Sequence, residues 1–472
     1  MTKKGSTSRS LALETLVQWT GTGKPVQGFI NRIVHDSGLK NEERQLAVML
    51  IMAVLREQEY LDSLISRFSK TKLRKMKPLT LAALRIGVIQ ICRLERIPDS
   101  AAVNETVKAL KKMRQPGWLC SFVNGTLRTI ARNRESLPKP ENAGPEGTPV
   151  LNHPAWLTTR WQEQFGKEQM QAICRVNNLE PNLCLQVNCF NRFHTGRNTL
   201  DTLDTLNILK ARFAAKGISG FKPGSFAVDS LILYEQQGAV TDLPGFTEGL
   251  FQVQDQAARL ACELLGPFKE QGRYLDGCAG LGGKTCTLAA LLPQDALLVA
   301  VEPDQRRFRL LQENLQRQGL TNQIKQVETV RQDLQTFAAA KDTPDTLFDG
   351  IFIDAPCSGT GVIRKHPDIR WNRQPEDLIS LQQTQLELLH TAAVLLKPGG
   401  ALVYATCSLE PEENQQVVEQ FLAAHPAFAL TDCRDFLPAS ARSLVDEQGF
   451  FAPLPTEEIE GFFAARLVRR SL

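Results

Sequence analysis

Two cysteines in this 472-residue chain each follow a short apolar run that has the pattern of a buried strand. The run from Gly350 to Ile353 leads into Asp354-Ala355-Pro356-Cys357, and the run from Ala401 to Tyr404 leads into Ala405-Thr406-Cys407. Ligands bind beyond the carboxyl ends of the strands in an open parallel sheet, so we expect both thiols and Asp354 at one sheet edge. A thiolate there is a strong nucleophile. The alternative is that both are buried structural thiols.

Two thiols and a carboxyl group at one site suit the methylation of carbon 5 of cytosine. Carbon 5 is a poor nucleophile, but addition of a thiolate to carbon 6 turns the ring into an enamine that can take a methyl group. A base must then remove the proton from carbon 5 before the thiolate leaves. The carboxyl group of Asp354 can bond the amine and nitrogen 3 edge of cytosine, and it would reject uracil, which has a carbonyl in place of the amine.

A glycine-rich segment, Gly277 to Thr285, follows a third predicted strand and opens a predicted helix. Glycines there let the backbone turn tightly and approach a ligand. Glu302 follows the next strand, where an acid can hold both hydroxyls of a ribose. A phosphate-binding loop needs glycine where Cys278 stands, and a dinucleotide loop starting at Gly280 needs glycine or alanine where Thr285 stands. S-adenosylmethionine, which has no phosphate, fits best, with a turn that binds no ligand as the alternative.

The periodicity of the chain predicts several domains. Residues 1–135 are predicted to be all-helical, and residues 136–150, SLPKPENAGPEGTPV, form a linker. Residues 151–240 are mixed and include a strand over Leu183 to Asn188. Residues 241–472 alternate strand and helix, which predicts a doubly wound parallel sheet of the Rossmann type. The predicted fold class is therefore an all-α domain, a small α/β domain and a Rossmann-like α/β domain.

Individual helices follow from apolar spacing and from capping residues. Apolar residues at helical spacing predict a helix over Glu43 to Leu64, a buried helix over Leu81 to Ile91, and a helix over Asp304 to Gln318. Pro98-Asp99-Ser100 is predicted to break the chain and to supply capping side chains for a helix from Ala101. Asp333 follows a predicted strand and can cap a helix from Leu334.

Charge is divided unevenly along the chain. Residues 1–135 hold 24 Lys+Arg and 11 Asp+Glu, whereas the remainder holds 31 and 40, so a basic region precedes a mildly acidic one. Two clusters contain most of the excess: Lys70, Lys72, Arg74, Lys75 and Lys77, then Lys108, Lys111, Lys112 and Arg114. Such clusters indicate contact with a polyanion, and the alternative is a solvated helix surface.

Composition excludes several classes of protein. Eleven cysteines without a Cys-x-x-Cys pair, and six histidines that do not cluster near them, argue against a zinc site, so we expect no metal. The chain has no apolar stretch long enough to span a membrane and no apolar signal core after its first residues, so we expect a cytoplasmic protein. A monomer is the favoured oligomeric state.

The two cysteine segments resemble a known family. Asp354 to Gly361 reads DAPCSGTG and Ala405 to Asn414 reads ATCSLEPEEN, and together they resemble the signatures of RNA cytosine-5 methyltransferases of the Sun/Fmu (RsmB) family. Residues 8–134 resemble the NusB-like helical RNA-binding domain, and residues 153–188 resemble the small domain that precedes the catalytic one. The resemblance implies a bacterial enzyme that acts on small-subunit ribosomal RNA with S-adenosylmethionine as the methyl donor.

The resemblance also implies roles for residues that match the family motifs. Cys407 would be the nucleophile, Cys357 would assist release of the methylated base, and Asp354 would bind the cytosine and border the cofactor. Asp333 would lie near the adenine of the cofactor. The residues implied to hold S-adenosylmethionine are Cys278, Ala279, Gly280, Leu281, Gly282, Gly283, Lys284, Glu302, Asp333 and Asp354.

Two positions depart from the family pattern. The usual cofactor loop has Ala and Pro where this chain has Gly280 and Leu281, a change in backbone entropy of roughly 0.5–1 kcal/mol per site that would weaken binding of the methyl donor. Gln186 stands where the family often has Arg, which would remove one contact with RNA.

Three other functions compete with ribosomal RNA methylation. The chain could be an RNA-binding scaffold without catalysis, although Cys407, Cys357 and Asp354 are all present. It could perform the same chemistry on transfer RNA. It could be an amino-group methyltransferase, but those need a segment of the Asp-Pro-Pro-Tyr type where this chain has Asp354-Ala355-Pro356-Cys357.

Overall fold

A computed structural model describes residues 6–188, 202–234, 238–320, 326–340 and 347–471 of the chain. The chain divides into two compact units. The first contains Met1–Glu180 together with Ile363–Arg373, and the second contains Pro181–Val362 together with Gln374–Leu472. Each unit has its own hydrophobic core.

The first unit is helical, as the sequence predicted. Its helices are α1 (Ser8–Trp19), α2 (Val26–Ile33), α3 (Asn41–Arg56), α4 (Gln58–Phe68), α5 (Pro78–Arg93), α6 (Asp99–Lys112), α7 (Gly117–Arg132), α8 (Ala155–Phe165) and α9 (Lys167–Asn177). Helix α5 packs against α1, α3, α4, α6 and α7. Its residues are buried over most of its circumference, as expected of a helix that is apolar on nearly all sides.

Two local expectations for this unit are wrong. The predicted helix over residues 43–64 is interrupted at Glu57, whose φ of −113° and ψ of 22° separate α3 from α4 although the apolar spacing continues. Helix α6 begins at Asp99 with Pro98 at the capping position, and no side chain caps it. The carboxylate of Asp99 instead pairs with Arg134 at 3.0 Å, so it is occupied by an ion pair.

The proline-rich residues 136–150 pack against the first unit instead of connecting domains loosely. The Tyr60 hydroxyl donates to the carbonyl of Pro138 at 3.1 Å, and Arg67 donates to the carbonyl of Ala143 at 3.2 Å. Ala143 is itself buried in the core of this unit. The prolines therefore shape ordered turns. The unit continues through α8 and α9 to residue 180, so residues 151–240 are divided between the two units.

A small antiparallel sheet begins the second unit. Its elements are β1 (Leu183–Val187), α10 (Thr202–Ala215), β2 (Phe221–Pro223), β3 (Ser230–Leu233) and β4 (Phe251–Val253). The strand order is β2-β3-β1-β4, and α10 packs on one face. The predicted strand over residues 183–188 is confirmed. Gln186 within it is buried and accepts a hydrogen bond from the Ser230 hydroxyl at 3.2 Å, and the expected loss of an RNA contact at this position stays a prediction.

The rest of the second unit contains a seven-stranded sheet. Its elements are α11 (Gln256–Glu263), β5 (Arg273–Asp276), α12 (Gly283–Leu291), β6 (Leu297–Val301), α13 (Gln305–Arg317), β7 (Gln326–Val330), α14 (Leu334–Ala339), β8 (Phe348–Asp354), α16 (Pro375–Leu395), β9 (Leu396–Thr406), α17 (Gln415–Ala424), β10 (Phe428–Thr431) and β11 (Phe463–Arg469). The short helix α15 (Ile369–Asn372) lies between β8 and α16 in the chain but belongs to the first unit. The strand order is β10-β11-β9-β8-β5-β6-β7.

The topology of this sheet fixes where a ligand can bind. Strands β9, β8, β5, β6 and β7 are parallel, and β11 runs antiparallel between β9 and β10. From β5 the chain proceeds to β6 and β7 on one side, and later to β8 and β9 on the other side. The strand order therefore reverses between β5 and β8. In sheets of this kind the ligand site lies outside the carboxyl ends of the strands at that reversal.

Candidate active site at the carboxyl end of the sheet

Cys357 and Cys407 lie side by side where β8 and β9 end. The two strands are parallel neighbours, and their last paired residues are Asp354 and Ala405. The Sγ atoms of the two cysteines are 3.2 Å apart, and the N–H of Cys407 donates to Sγ of Cys357 at 3.3 Å. Both residues are partly exposed. The structure thus brings together the two thiols that the sequence placed at this edge.

The contact between the sulfur atoms favours the protonated form of Cys357. Its hydrogen bond to Cys407, its burial and the nearby charge of Glu413 raise the pKa of the Cys357 thiol well above its ordinary value. Cys357 is therefore a neutral thiol near neutral pH. A thiol can donate a hydrogen bond, so Cys357 can stabilise a thiolate on Cys407.

Several other cysteines are buried within the protein. Burial raises the pKa of Cys174, Cys262 and Cys286 to about 12. Burial also raises the pKa of Cys278, in the glycine-rich loop. These thiols resist ionisation and are poor nucleophiles.

Glu413, which the sequence analysis did not single out, connects the two cysteine segments. It is buried in the turn that follows β9. Ser358, the residue after Cys357, donates its backbone N–H to Oε1 at 2.7 Å and its hydroxyl to Oε2. Ser408, the residue after Cys407, donates its hydroxyl to the same Oε2. The signal that could have found this carboxylate was the repeated Cys-Ser pair.

A backbone contact also joins the two segments. The N–H of Gly361 donates to the carbonyl of Cys407 at 2.9 Å, and the N–H of Gly461 donates to the carbonyl of Gly361 at 2.9 Å. A Cβ atom at position 361 would overlap the carbonyl oxygen of Gly461 and lie 2.9 Å from that of Cys407. Only glycine fits at this crossing.

Asp354 forms an ion pair beside the thiols. Nζ of Lys284, at the start of α12, lies 2.7 Å from Oδ2 of Asp354 and 5.4 Å from the centre of the Phe462 ring. Burial alone would lower the pKa of Lys284, but the charge and hydrogen bond of Asp354 raise it above its ordinary value. Lys284 is thus charged, and it forms an ion pair with Asp354.

The loop from Gly277 to Gly282 connects β5 with α12. Gly280 and Gly282 have φ angles of 57° and 88°, a region that residues other than glycine rarely adopt. A Cβ atom at Gly280 would meet nothing within 4 Å, so open space adjoins the loop there. Glycine at position 280 therefore matches the conformation of the turn, and the loop leaves room for a ligand beside the start of the helix.

Asp276 holds this loop from below. Its carboxylate is buried at the end of β5, where it accepts from the Thr285 hydroxyl at 2.7 Å and from the N–H of Cys278 at 3.3 Å. Burial raises the pKa of Asp276 to about 6. The N–H of Ala279 donates to the carbonyl of Val301 at 3.0 Å, so the loop is also attached to β6.

Glu302 and Asp333 follow β6 and β7 on the same side of the sheet. Oε1 of Glu302 accepts from the N–H of Asp304 at 2.8 Å and pairs with Arg307 at 3.1 Å, which orients a carboxylate that is otherwise buried. Asp333 caps α14, because its carboxylate accepts from the N–H and hydroxyl of Thr336 at 2.7 and 2.9 Å. The capping alternative for Asp333 is confirmed, and a ligand role stays a prediction.

Two glutamines that the sequence analysis did not identify support the loop from behind. Gln252 and Gln254 donate to the carbonyl of Gly283 at 3.1 and 3.3 Å, and both bond the hydroxyl of Thr287. Leu281, by contrast, is exposed, and its carbonyl accepts from Asn314 at 2.9 Å. Of the predicted cofactor residues, Gly283 and Leu281 are thus fixed through their backbones.

The described residues contain no helix that is long and apolar enough to cross a membrane. They also contain no group of three or more histidine, cysteine or acidic side chains arranged to hold a metal ion.

In the first unit, the five cations between residues 70 and 77 are all exposed, and so are Lys108, Lys111, Lys112 and Arg114. Lys108 of the second cluster forms an ion pair with Glu105 at 2.7 Å.

Comparison with known proteins identifies three matching families. Residues 263–468 match the family described as 16S rRNA methyltransferase RsmB/F. Residues 6–132 match the NusB family, and residues 153–219 match the ferredoxin-like domain of RsmF/B-like methyltransferases.

Curated relatives match over most of their length. The probable ribosomal RNA small subunit methyltransferase B of Bacillus subtilis is 31% identical over 428 residues, which cover 90% of each chain. The ribosomal RNA small subunit methyltransferase B of Klebsiella pneumoniae is 34% identical over 470 residues, which cover 99% of each chain.

Solved structures share the fold. The crystal structure of a protein named PH0851 has a TM-score of 0.73 at 24% identity and covers 98% of each chain. A methyltransferase homologue from Pyrococcus horikoshii has a TM-score of 0.53 at 27% identity, covering 68% of this chain and 96% of its own.

Fold, loop and comparisons together define a Rossmann-like methyltransferase whose methyl donor is S-adenosylmethionine. About one third of the residues are shared with these curated relatives over nearly the whole chain, and the chain therefore belongs to the RsmB family of ribosomal RNA small-subunit methyltransferases.

The described residues fit this methyl donor. The glycine loop leaves open space at Gly280, where a ligand can approach the backbone. The carboxylate of Glu302 lies at the end of β6, where it can accept ribose hydroxyls.

Proposed function

We propose that this protein methylates carbon 5 of a cytosine in 16S ribosomal RNA through a covalent bond between Cys407 and carbon 6. The observation that carries the proposal is the 3.2 Å separation of the Cys357 and Cys407 sulfur atoms beside Asp354, at the edge of the sheet where ligands bind. The ribosomal substrate follows from relatives named ribosomal RNA small subunit methyltransferase B.

The reaction begins with attack by Cys407. Its thiolate forms a bond to carbon 6, and the electron pair of the 5,6 double bond moves towards carbon 5, which becomes nucleophilic. Cys357 is a neutral thiol next to Cys407, so its S–H can hold the negative charge on Cys407 before the attack. S-adenosylmethionine, when bound, supplies the electrophilic methyl group. Glu302 and the backbone of Cys278 to Lys284 would hold it, with Asp333 near the adenine.

Asp354 selects the base. Its carboxylate accepts a hydrogen bond from the exocyclic amine of cytosine, whereas uracil presents a carbonyl oxygen that would face a second acceptor. Lys284 bonds Oδ2 of this carboxylate at 2.7 Å, so the carboxylate is held in one orientation. A site built to bond a donor discriminates strongly against a base that lacks it, because a buried acceptor is then left unpaired.

Release of the methylated base breaks the bond between the Cys407 sulfur and carbon 6. Carbon 5 carries both a hydrogen and the new methyl group, and loss of that proton to a base allows the bond between carbon 6 and sulfur to break. Cys407 leaves as a thiolate, and Cys357 assists because its S–H can donate to the departing sulfur.

The exposed cations between residues 70 and 77 would contact the RNA phosphates. The target base must be unpaired or extruded, because carbon 6 is inaccessible inside a stacked duplex.

The test is bisulfite sequencing of cellular RNA with and without this protein. We expect one cytosine in 16S ribosomal RNA to lose its 5-methyl mark in the deletion strain and to regain it with the intact chain, but not with Cys407→Ala. A mark that is lost only from transfer RNA, or that is restored by Cys407→Ala, contradicts the proposal.

A further inference from the structure

The chemistry described above gives no role to the buried carboxylate of Glu413. Glu413, Ser358 and Ser408 are all at most 1% exposed, and each of the two serines directly follows one of the two cysteines in the sequence. A carboxylate removed from water is unfavourable unless hydrogen bonds satisfy it. Retaining one here therefore requires donors, and both cysteine segments provide them.

The donors come from three elements and converge on two oxygen atoms. Oε1 of Glu413 accepts from the Ser358 N–H at 2.7 Å and from Nε2 of Gln385 on α16 at 3.0 Å. Oε2 accepts from the hydroxyls of both serines, which are also 3.0 Å from each other. The Tyr404 hydroxyl donates to the Glu413 carbonyl, which fixes the backbone that carries the carboxylate.

Each serine is joined to the adjacent cysteine by a peptide bond, so a hydrogen bond that holds the serine also restrains the cysteine. The register of β8 and β9 ends at Asp354 and Ala405, so Cys357 lies three residues and Cys407 two residues beyond the last ladder pair. Past that point other contacts hold the two segments together. They include the Cys407 N–H bond to the Cys357 sulfur, the contact between the two serine hydroxyls, the Gly361 contact with the Cys407 carbonyl, polar contacts of Thr360 with the segment after Cys407, and the links through Glu413.

We propose that Glu413 is a positioning residue that sets the distance between the sulfur atoms of Cys357 and Cys407. It acts through Ser358 and Ser408 and does not touch the substrate. Its consequence for catalysis rests on the proposed function, since only a reaction that uses both thiols on one ring requires them to stay together. A displacement of about 1 Å at a reacting group can reduce turnover by about 100-fold.

The distance is measured directly with dibromobimane, a reagent that becomes fluorescent when it bridges two neighbouring thiols. The full chain is labelled without RNA, and Cys357→Ser shows how much signal comes from this pair. We expect Glu413→Ala to reduce the bridging rate about 10-fold, and Glu413→Gln, which keeps one acceptor oxygen, to reduce it less. Glu419→Gln, at an exposed position on α17, is the matched control and should bridge at the normal rate. An unchanged bridging rate in Glu413→Ala overturns the proposal.

A double variant covers the case in which Glu413→Ala does not fold. Ser358→Ala with Ser408→Ala removes both hydroxyl links and leaves the carboxylate bonded to the Ser358 N–H and Gln385. Bridging should fall about 3-fold, the effect of losing weak hydrogen bonds from each segment. Bridging at the normal rate in this double variant contradicts the proposal.

The catalytic consequence is measured in the same variants by steady-state kinetics. Glu413→Ala should lower kcat about 100-fold while KM for RNA and the dissociation constant of S-adenosylmethionine change less than about 2-fold. A general loss of structure would change all three values, and that result counts against positioning. Since bridging needs neither RNA nor cofactor, a failure of the cytosine proposal leaves the distance measurement intact, and the two failures can be told apart.

Discussion

The active site and the basic segment of the first unit are built in opposite ways. Around the thiols, buried polar groups such as Glu413, Ser358 and Asp276 each have hydrogen-bond partners at short distances. The cations between residues 70 and 77 are exposed, and within the described residues they form no ion pair. The function of the first region depends on the positions of its side chains, and the function of the second depends on its total positive charge. Single changes should therefore have large effects at the thiols and small, additive effects in the basic segment.

The largest expected effect is the loss of the nucleophile. Cys407→Ala should lower turnover at least about 10³-fold, because the variant lacks the proposed attacking sulfur and the adjacent Cys357 is a neutral thiol, while S-adenosylmethionine still binds. Radioactive methyl transfer to 16S RNA measures turnover, and calorimetry measures binding. Cys92→Ala, a partly exposed thiol in the first unit, serves as the control. Turnover close to that of the intact chain would remove Cys407 from the mechanism.

The next largest effect is expected on the affinity for the methyl donor, which depends on the cofactor site and not on the thiols. Glu302→Ala should raise the dissociation constant of S-adenosylmethionine about 10- to 100-fold, since a charged hydrogen-bond acceptor is lost at the ribose position. Calorimetric titration measures it, and Glu313→Ala, an exposed acid on α13, is the control. Equal affinities in the two variants would exclude Glu302 from the site.

A smaller effect is expected in the basic segment. Lys72→Gln and Lys75→Gln should each weaken RNA binding a few-fold and reduce the slope of log affinity against log salt by about one charge each. Filter binding over a range of salt concentrations gives both values. Lys167→Gln, exposed on α9 and outside the cluster, should leave the slope unchanged. A slope that stays the same in the cluster variants would mean that RNA contacts another surface.

The smallest effect is expected at Glu59, a partly buried acid in the first unit, whose environment differs from that of the exposed cations in the same unit. Burial raises the pKa of Glu59 from 4.5 to about 7. The folded chain therefore holds this proton more tightly than the unfolded chain, and the stability it contributes at low pH is lost as pH rises through about 7. Glu59→Gln should flatten the fall of Tm over that range, by a few degrees in this unit. A pH profile identical to that of the intact chain contradicts this assignment.

The sequence predicted the strands and the meeting of the thiols because both follow from local patterns. Buried parallel strands are near-continuous apolar runs, and their carboxyl ends necessarily share an edge. Glu413 could not be found in this way, because its role depends on a turn that brings it back under two serines. The break at Glu57 and the packing of residues 136–150 were missed for a related reason. Both depend on contacts with other helices, whereas composition reports only local preference.

The central claim is that Cys407 forms a covalent bond with cytosine while Cys357 assists its release. Cys357→Ala is incubated with 16S RNA and S-adenosylmethionine, digested with ribonuclease and protease, and analysed by mass spectrometry. The account predicts a peptide in which Cys407 carries a methylated cytidine nucleotide, and no such peptide in Cys357→Ala combined with Cys407→Ala. Rapid, complete turnover of Cys357→Ala without an adduct, or an adduct on another cysteine, would contradict it.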